Sequence, residues 1–175
     1  MNYAQIRQYD VANGPGIRCT FFVTGCSLNC KNCFNKEYQD PNFGEKWTDT
    51  QTNQVIDYLN QEEIDGLTIL GGEPFESCDD LIEIVGKIRE YTNKSIWIFS
   101  GYTYETLSQK QNCKKLLDMC DVLVDGRFVE ELKDLRLKFR GSSNQRLIDL
   151  NKTTIDNIIL AVSYTHLTLP TILLV

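Results

Sequence analysis

Histidine is almost missing from this sequence: there is one copy, His166, close to the C-terminus. A zinc site of the mixed cysteine–histidine kind would therefore find no imidazole in the body of the chain. Long apolar runs are missing too. None approaches the roughly 18 to 20 residues of a membrane-spanning helix. The opening Met1-Asn2-Tyr3-Ala4-Gln5-Ile6-Arg7 has no apolar stretch that could act as a secretory signal. Internal repeats and low-complexity tracts do not occur. Positive charge is in deficit, with 18 Lys and Arg against 24 Asp and Glu and a formal charge of −6. A chain of that sign is poorly suited to gripping nucleic acid or anionic lipid as its main task.

The rest of the composition is ordinary, at 42% hydrophobic and 24% charged over 175 residues. That excludes disorder and fibrous architectures and is enough for one domain with its own core. Cysteine is the exception. There are seven, an odd number, and three sit in one tight cluster instead of at spread disulfide spacings. Unpaired thiols in a chain with no apolar leader are expected in a reducing cytoplasm, where clustered cysteines usually mean metal.

From Val162 the chain reads Val-Ser-Tyr-Thr-His-Leu-Thr-Leu-Pro-Thr and closes on Ile172 to Val175. This text resembles translated adapter read-through. Residues 162–175, His166 with them, are set apart as a non-native tail, against the plainer alternative of a genuine C-terminal strand. The domain proper is expected to span residues 1–161.

Within it, strand-like and helix-like patterns alternate. Ile17 to Val23 is β-branched and aromatic, and Leu67 to Leu70 is a short apolar run stopped by Gly71-Gly72. Ser95 to Phe99 and Val122 to Val124 also read as strands. Thr50 to Asn60, the stretch around Leu81 to Ile88, and Tyr104 to Met119 carry helical spacing. This alternation predicts an α/β fold of parallel βαβ units. At least four such strands are legible, too few for a closed eight-stranded barrel, so an open or partial barrel is expected.

Cys26-Ser-Leu-Asn-Cys30-Lys-Asn-Cys33 follows the first of these strands. Three thiolates within so short a loop can wrap one face of an inorganic cluster. A cubane has four irons, so three cysteines leave one iron open to another ligand. Zinc is the competing reading and would need a fourth ligand from Cys19, Cys78, Cys113 or Cys120. The plainest reading of all is three buried cysteines without a metal.

C-x3-C-x2-C at a strand end resembles the signature of the radical S-adenosylmethionine superfamily. Asn13-Gly14-Pro15-Gly16-Ile17-Arg18 before it and Phe34-Asn35 after it resemble the glycyl-radical-enzyme activases. Asp121-Val-Leu-Val-Asp-Gly126 and Arg140-Gly-Ser-Ser-Asn-Gln145 resemble the branch that acts on anaerobic ribonucleoside-triphosphate reductase. The likeness runs from Met1 to about Leu150. It implies one radical-SAM activase domain over residues 1–161, folded as a partial (open) βα barrel with parallel strands and outer helices. It implies that Cys26, Cys30 and Cys33 hold a 4Fe–4S cluster whose open iron binds S-adenosylmethionine. An electron from reduced flavodoxin, or a similar donor, would cleave that cofactor to a 5′-deoxyadenosyl radical. The radical would take a hydrogen from a glycine of the large reductase subunit, so the substrate is a protein and the enzyme an oxidoreductase.

The same likeness implies cofactor contacts at Asn32, Cys33, Phe34 and Gly72, with Asn35 as a further one. It assigns no catalytic side chain beyond the cluster and cofactor. Two alternatives stay open: an activase for another glycyl-radical enzyme of the pyruvate formate-lyase type, and a non-enzymatic iron–sulfur or zinc module. Cys19, Cys78, Cys113 and Cys120 read as small buried apolar residues, and Cys113 and Cys120 fall on one helical face. Between Arg127 and Arg146 six basic residues stand against three acidic ones. That stretch reads as a charge-mixed surface, or as a dock for an acidic electron donor or the reductase.

Overall fold

A computed structural model describes residues 1–161; the expected tail, residues 162–175, lies outside the described residues. One seven-stranded sheet carries the fold. In chain order the elements are β1 (Asn2–Asp10), β2 (Arg18–Val23), β3 (Glu45–Lys46), α1 (Asp49–Leu59), β4 (Gly66–Gly71), α2 (Cys78–Arg89), β5 (Ser95–Phe99), α3 (Tyr104–Ser108), α4 (Gln111–Leu117), β6 (Val122–Asp125) and β7 (Arg146–Asp149). The strands lie in the order β3-β1-β2-β4-β5-β6-β7. β2, β4, β5 and β6 are parallel, and β1, β3 and β7 join antiparallel at the flanks. The α/β class and the four parallel strands are those expected from the apolar runs.

Alternation along each parallel strand sorts its side chains onto two faces. Cys19, Phe21 and Val23 of β2, Leu67 and Ile69 of β4, and Ile96 and Ile98 of β5 pack against the apolar stripes of α1, α2 and α4. Each such Leu or Ile, fully withdrawn from water, contributes about 1.5–3 kcal/mol before entropy is set against it. The other face is mixed. Trp97, Val122 and Val124 form a second, smaller cluster there, and Arg18 lies buried beside them. Its guanidinium donates to Thr68 Oγ1 at 2.7 Å, Leu67 O at 2.6 Å and Ser95 O at 2.8 Å. Arg18 thus ties the amino ends of β4 and β5 together.

The helix expected over Tyr104 to Met119 is two helices. Lys110 between them is extended, at φ −101° and ψ 123°. At about 100° per residue, an unbroken helix would set Tyr104 and Leu107 roughly 160° away from Cys113, Leu116 and Leu117. All five side chains are buried. The break at Lys110 re-phases the chain so that both groups face the same core. α1 begins on a reciprocal cap: Thr48 and Gln51 satisfy each other's backbone amides. Among the described residues no helix is long and apolar enough to cross a membrane.

Candidate metal centre

Parallel strands deliver their following loops to one end of the sheet. After β2 comes the cysteine loop, after β4 Gly71-Gly72-Glu73-Pro74, after β5 Ser100-Gly101, and after β6 the segment 126–145. Residues from all four line one cavity of about 600 Å³, walled also by Phe22, Leu70 and Phe99 from the face turned away from the helices.

The cysteine loop is pinned at both ends, where Gly25 N donates to Tyr38 O at 2.8 Å and Cys26 N to Gln39 O at 3.1 Å. Inside it, Asn29 and Asn32 have φ of 48° and 53°, the left-handed region that asparagine tolerates better than most residues. Each directly precedes a cysteine, so the chain turns just before Cys30 and again before Cys33. Cys26, Cys30 and Cys33 are half-buried free thiols, and all three line the cavity.

Three thiols on one loop, facing one cavity, fit three corners of a 4Fe–4S cubane, which asks each cysteine for an iron of its own. No three His, Cys, Asp or Glu among the described residues converge as ligands for a single ion. Burial pushes the Cys26 thiol up to about 11, with Glu73 and Glu76 adding to the shift. Ligation there as a thiolate must expel a proton, so metal uptake should improve as pH rises.

Gly72 is where two backbones cross. A Cβ on it would stand 2.4 Å from Gly25 O and 2.8 Å from Tyr38 O. Gly72 N donates to Val23 O and Glu73 N to Gly25 O, both at 2.8 Å, so the glycine pair after β4 is the seat of the cysteine loop. Asn35 reaches it as well, with Nδ2 3.4 Å from Gly71 O. Glu73 is 1% exposed and its carboxylate gathers the neighbouring loops. It accepts from Gly101 N at 2.7 Å, Ser100 Oγ at 2.9 Å and Phe75 N at 3.0 Å. Burial pushes that carboxyl up to about 7 against the pull of those donors.

Residues 127–145 form a flap against the cysteine loop. Phe128 packs on Phe34 with ring centroids 5.2 Å apart, Lys133 Nζ lies 4.9 Å from the Phe34 centroid, Lys31 pairs with Glu131 at 3.2 Å, and Arg127 donates to Leu28 O. Gln145 closes the neck of the flap: Oε1 accepts from Gly141 N at 2.8 Å and Ser142 N at 3.1 Å, while Nε2 donates to Gly126 O at 2.9 Å. Arg146 behind it holds both Asp125 and Glu105.

Of the residues expected to touch a cofactor, Cys33, Phe34, Asn35 and Gly72 line the cavity. Asn32 is exposed and is not among the lining residues; its place in the loop is the turn into Cys33. Glu73, Ser100 and Gly101 line the cavity too, as do Arg140 and Gln145 of the motif that marks the family branch, none of them among the expected cofactor contacts. Glu73 was adjacent to a quoted glycine pair, but no sequence signal brings Ser100 and Gly101 beside it. The basic stretch is only partly a surface. Arg136 is exposed and pairs with Asp134 at 2.9 Å, whereas Arg140 turns inward, gives Nη1 to Gln145 O at 2.7 Å and keeps a buried Nε with no hydrogen-bond partner among the described residues.

Three free thiols on the loop after the first parallel strand of an α/β sheet suit a protein with one iron–sulfur cluster. In agreement, residues 12–148 match the profile of the 4Fe-4S single cluster domain. The chain is 41% identical over 150 residues to the anaerobic ribonucleoside-triphosphate reductase-activating protein of Escherichia coli (strain K12), covering 83% of this chain and 96% of that protein. The protein of the same name from Vibrio cholerae is 39% identical over the same shares. That of Enterobacteria phage T4 is 33% identical over 84% of this chain and 93% of its own length. The chain belongs to the family of anaerobic ribonucleoside-triphosphate reductase-activating proteins.

Proposed function

We propose that this protein activates anaerobic ribonucleoside-triphosphate reductase by radical S-adenosylmethionine chemistry, as a cytoplasmic oxidoreductase whose working domain is residues 1–161. The observation that carries this reading is the set of three cavity-lining thiols, with no fourth cysteine on their loop. The names of the relatives supply the partner. On this reading the four parallel strands with their outer helices are the partial βα barrel of the radical-SAM type. Cys26, Cys30 and Cys33 would hold a 4Fe–4S cluster, which would supply the one-electron reductive cleavage of S-adenosylmethionine that hydrogen abstraction from a glycine of the reductase requires.

The chain's own residues position and exclude. Gly72, which seats the cysteine loop, meets the cofactor through its backbone at the cavity wall, Phe34 and Asn35 contact it from the loop, and Asn32 sets the turn that aims Cys33. Arg140 offers a guanidinium donor to an anionic group of the cofactor. Phe128 and the flap keep water from the reacting atoms. A protein substrate has apolar surface to meet at the mouth, where Phe34 is 66% and Leu135 89% exposed. Lys133, over the Phe34 ring of the cysteine loop, gives an acidic donor such as reduced flavodoxin a complementary charge.

The test is anaerobic. The full chain is reconstituted with iron and sulfide and reduced, its EPR spectrum is recorded with and without S-adenosylmethionine, and 5′-deoxyadenosine is assayed in the same tubes. A reduced-cluster signal that changes with the cofactor, deoxyadenosine formation, and a glycyl-radical doublet on added reductase are the expected results, all lost in Cys30→Ala. A spectrum indifferent to the cofactor, or uptake of zinc without iron, would overturn the reading. A doublet on pyruvate formate-lyase instead would reassign the partner.

A further inference from the structure

Two of the cysteines outside the cysteine loop meet. Cys78 opens α2 and Cys113 lies in α4, and their sulfurs stand 3.1 Å apart. Both face one carbonyl, Phe75 O, which is 3.0 Å from Cys78 Sγ and 3.9 Å from Cys113 Sγ. The pair is 8% and 5% exposed. Neither residue has a part in the cavity just described, yet their arrangement is more than two apolar fillers side by side. An approach of about 1 Å would bring the sulfurs to the S–S bond length of about 2.05 Å.

We infer that Cys78 and Cys113 are a reversible dithiol–disulfide site joining α2 to α4, oxidised by a small-molecule disulfide such as oxidised glutathione. In the exchange one cysteine, as its thiolate, attacks the small disulfide and releases one small thiol. The other cysteine then attacks the resulting mixed disulfide and releases the second. Two S–H bonds and one small S–S bond break; one protein S–S bond and two small S–H bonds form. The two electrons end on the small thiols. This inference is independent of the cluster chemistry.

Oxidation would reach the cavity through Phe75. That residue sits in the turn Pro74–Ser77, directly after Glu73, and its amide donates to Glu73 Oε1 at 3.0 Å. A disulfide removes both sulfur donors from Phe75 O and draws the first turn of α2 towards α4. Glu73 in turn holds Gly101 N at the cavity wall. The oxidised state should therefore loosen the Glu73–Gly101 contact. Access is through α4, a seven-residue helix preceded by the extended Lys110. A helix so short is marginal without its packing, so it can lift and expose both thiols. Burial pushes the Cys78 thiol well above its ordinary value, and oxidation is accordingly slow, on the scale of minutes to hours.

The cluster-loaded full chain is incubated anaerobically with oxidised glutathione, quenched in denaturant with iodoacetamide, digested and mapped by mass spectrometry. The expected result is a peptide pair linked through Cys78 and Cys113, reversed by dithiothreitol and absent in Cys113→Ala and in Cys78→Ala. Hydrogen exchange at the Gly101 amide should be several-fold faster in the linked protein than in the reduced one. The proposal is overturned if both cysteines carry the alkyl label after oxidation, or if the links join other cysteines. A link that forms with Gly101 exchange unchanged would overturn the coupling to the cavity.

Discussion

Seven cysteines occupy two environments here. Cys26, Cys30 and Cys33 lie on an irregular loop and open onto the cavity. Cys19, Cys78, Cys113 and Cys120 are packed among Leu, Ile and Val in the main core. The difference is one of backbone. A strand or helix residue presents its side chain at a direction fixed by the element, and for Cys19, Cys78 and Cys113 that direction is inward; Cys120, in the short connection between α4 and β6, is buried by that turn. The loop cysteines are aimed one by one, by left-handed asparagines and by the crossing at Gly72. Burial pushes the Cys19 and Cys120 thiols up to about 12, which keeps those two protonated and inert.

The sharpest way to break this division is to remove one cysteine from each set. Cys30→Ala should abolish cluster iron and deoxyadenosine formation while leaving the unfolding transition of the metal-free protein nearly in place. Cys120→Ala should keep full iron and lose about 1 kcal/mol of stability, the scale of a small buried group deleted from a core. Iron assay and urea unfolding of both variants decide it. Full iron in Cys30→Ala, or loss of iron in Cys120→Ala, would mean that the two sets are not divided as described.

Next in size is the seat of the loop. Gly72→Ala puts a methyl against two carbonyl oxygens, and neither belongs to a side chain that can swing away. A cost of about 1–3 kcal/mol is expected, together with several-fold slower cluster assembly, since the backbone that must yield is that of Gly25, next to Cys26. Urea midpoints and the rate of iron incorporation measure the two effects. Equal assembly rates would detach the glycine pair from the metal centre.

These two substitutions also mark how far the sequence was readable. The parallel strands were legible because each is a short apolar run ended by a turn, and the cysteine spacing announced itself. β1 and β7 were not legible: β1 mixes Gln, Arg, Tyr and Ile along its length, as a strand at the side of a sheet can, and β7 is four residues ending a polar stretch. The single helix expected from Tyr104 onward failed because both halves have helical spacing but opposite phase. Within the site, the motifs named Cys33, Phe34, Asn35 and Gly72, and these line the cavity. The places of Glu73, Arg140 and Gln145 were not legible, although Arg140 and Gln145 belong to a quoted motif, because they depend on loops that meet only after the sheet has formed.

The flap separates the loop cysteines from solvent in a way the core cysteines never require. Gln145→Ala leaves the Gly141 and Ser142 amides and the Gly126 carbonyl without their shared partner, at about 1 kcal/mol per lost hydrogen bond. Initial iron content should match the unmodified protein, but absorbance of the cluster in air should decay a few-fold faster. Gln145→Glu keeps the acceptor and loses the donor, so its decay should fall between the two. Unchanged decay in Gln145→Ala would show that the flap does not shield the cluster.

The smallest expected effect touches neither set of cysteines directly and tests whether the helix side can be weakened alone. Glu105 at the start of α3 receives Arg146 Nη1 at 3.0 Å and Nη2 at 2.8 Å, and the hydrogen bonds from Arg146 hold its carboxyl down at about 2. A carboxyl lowered by folding stabilises the folded state above its unfolded value, and that contribution is lost as pH falls through the folded value. The stability difference between the unmodified protein and Glu105→Gln should therefore be constant above about pH 5 and shrink between pH 5 and 2. Because the pair is half exposed, the plateau should not exceed the few tenths to about 1 kcal/mol typical of surface ion pairs. Arg146 keeps Asp125 in the variant, so no buried charge is orphaned. Thermal unfolding of the metal-free protein across that pH range is the measurement. A difference that grows on acidification would mean that Glu105 is bound more tightly as the neutral acid, contrary to the geometry of its partner.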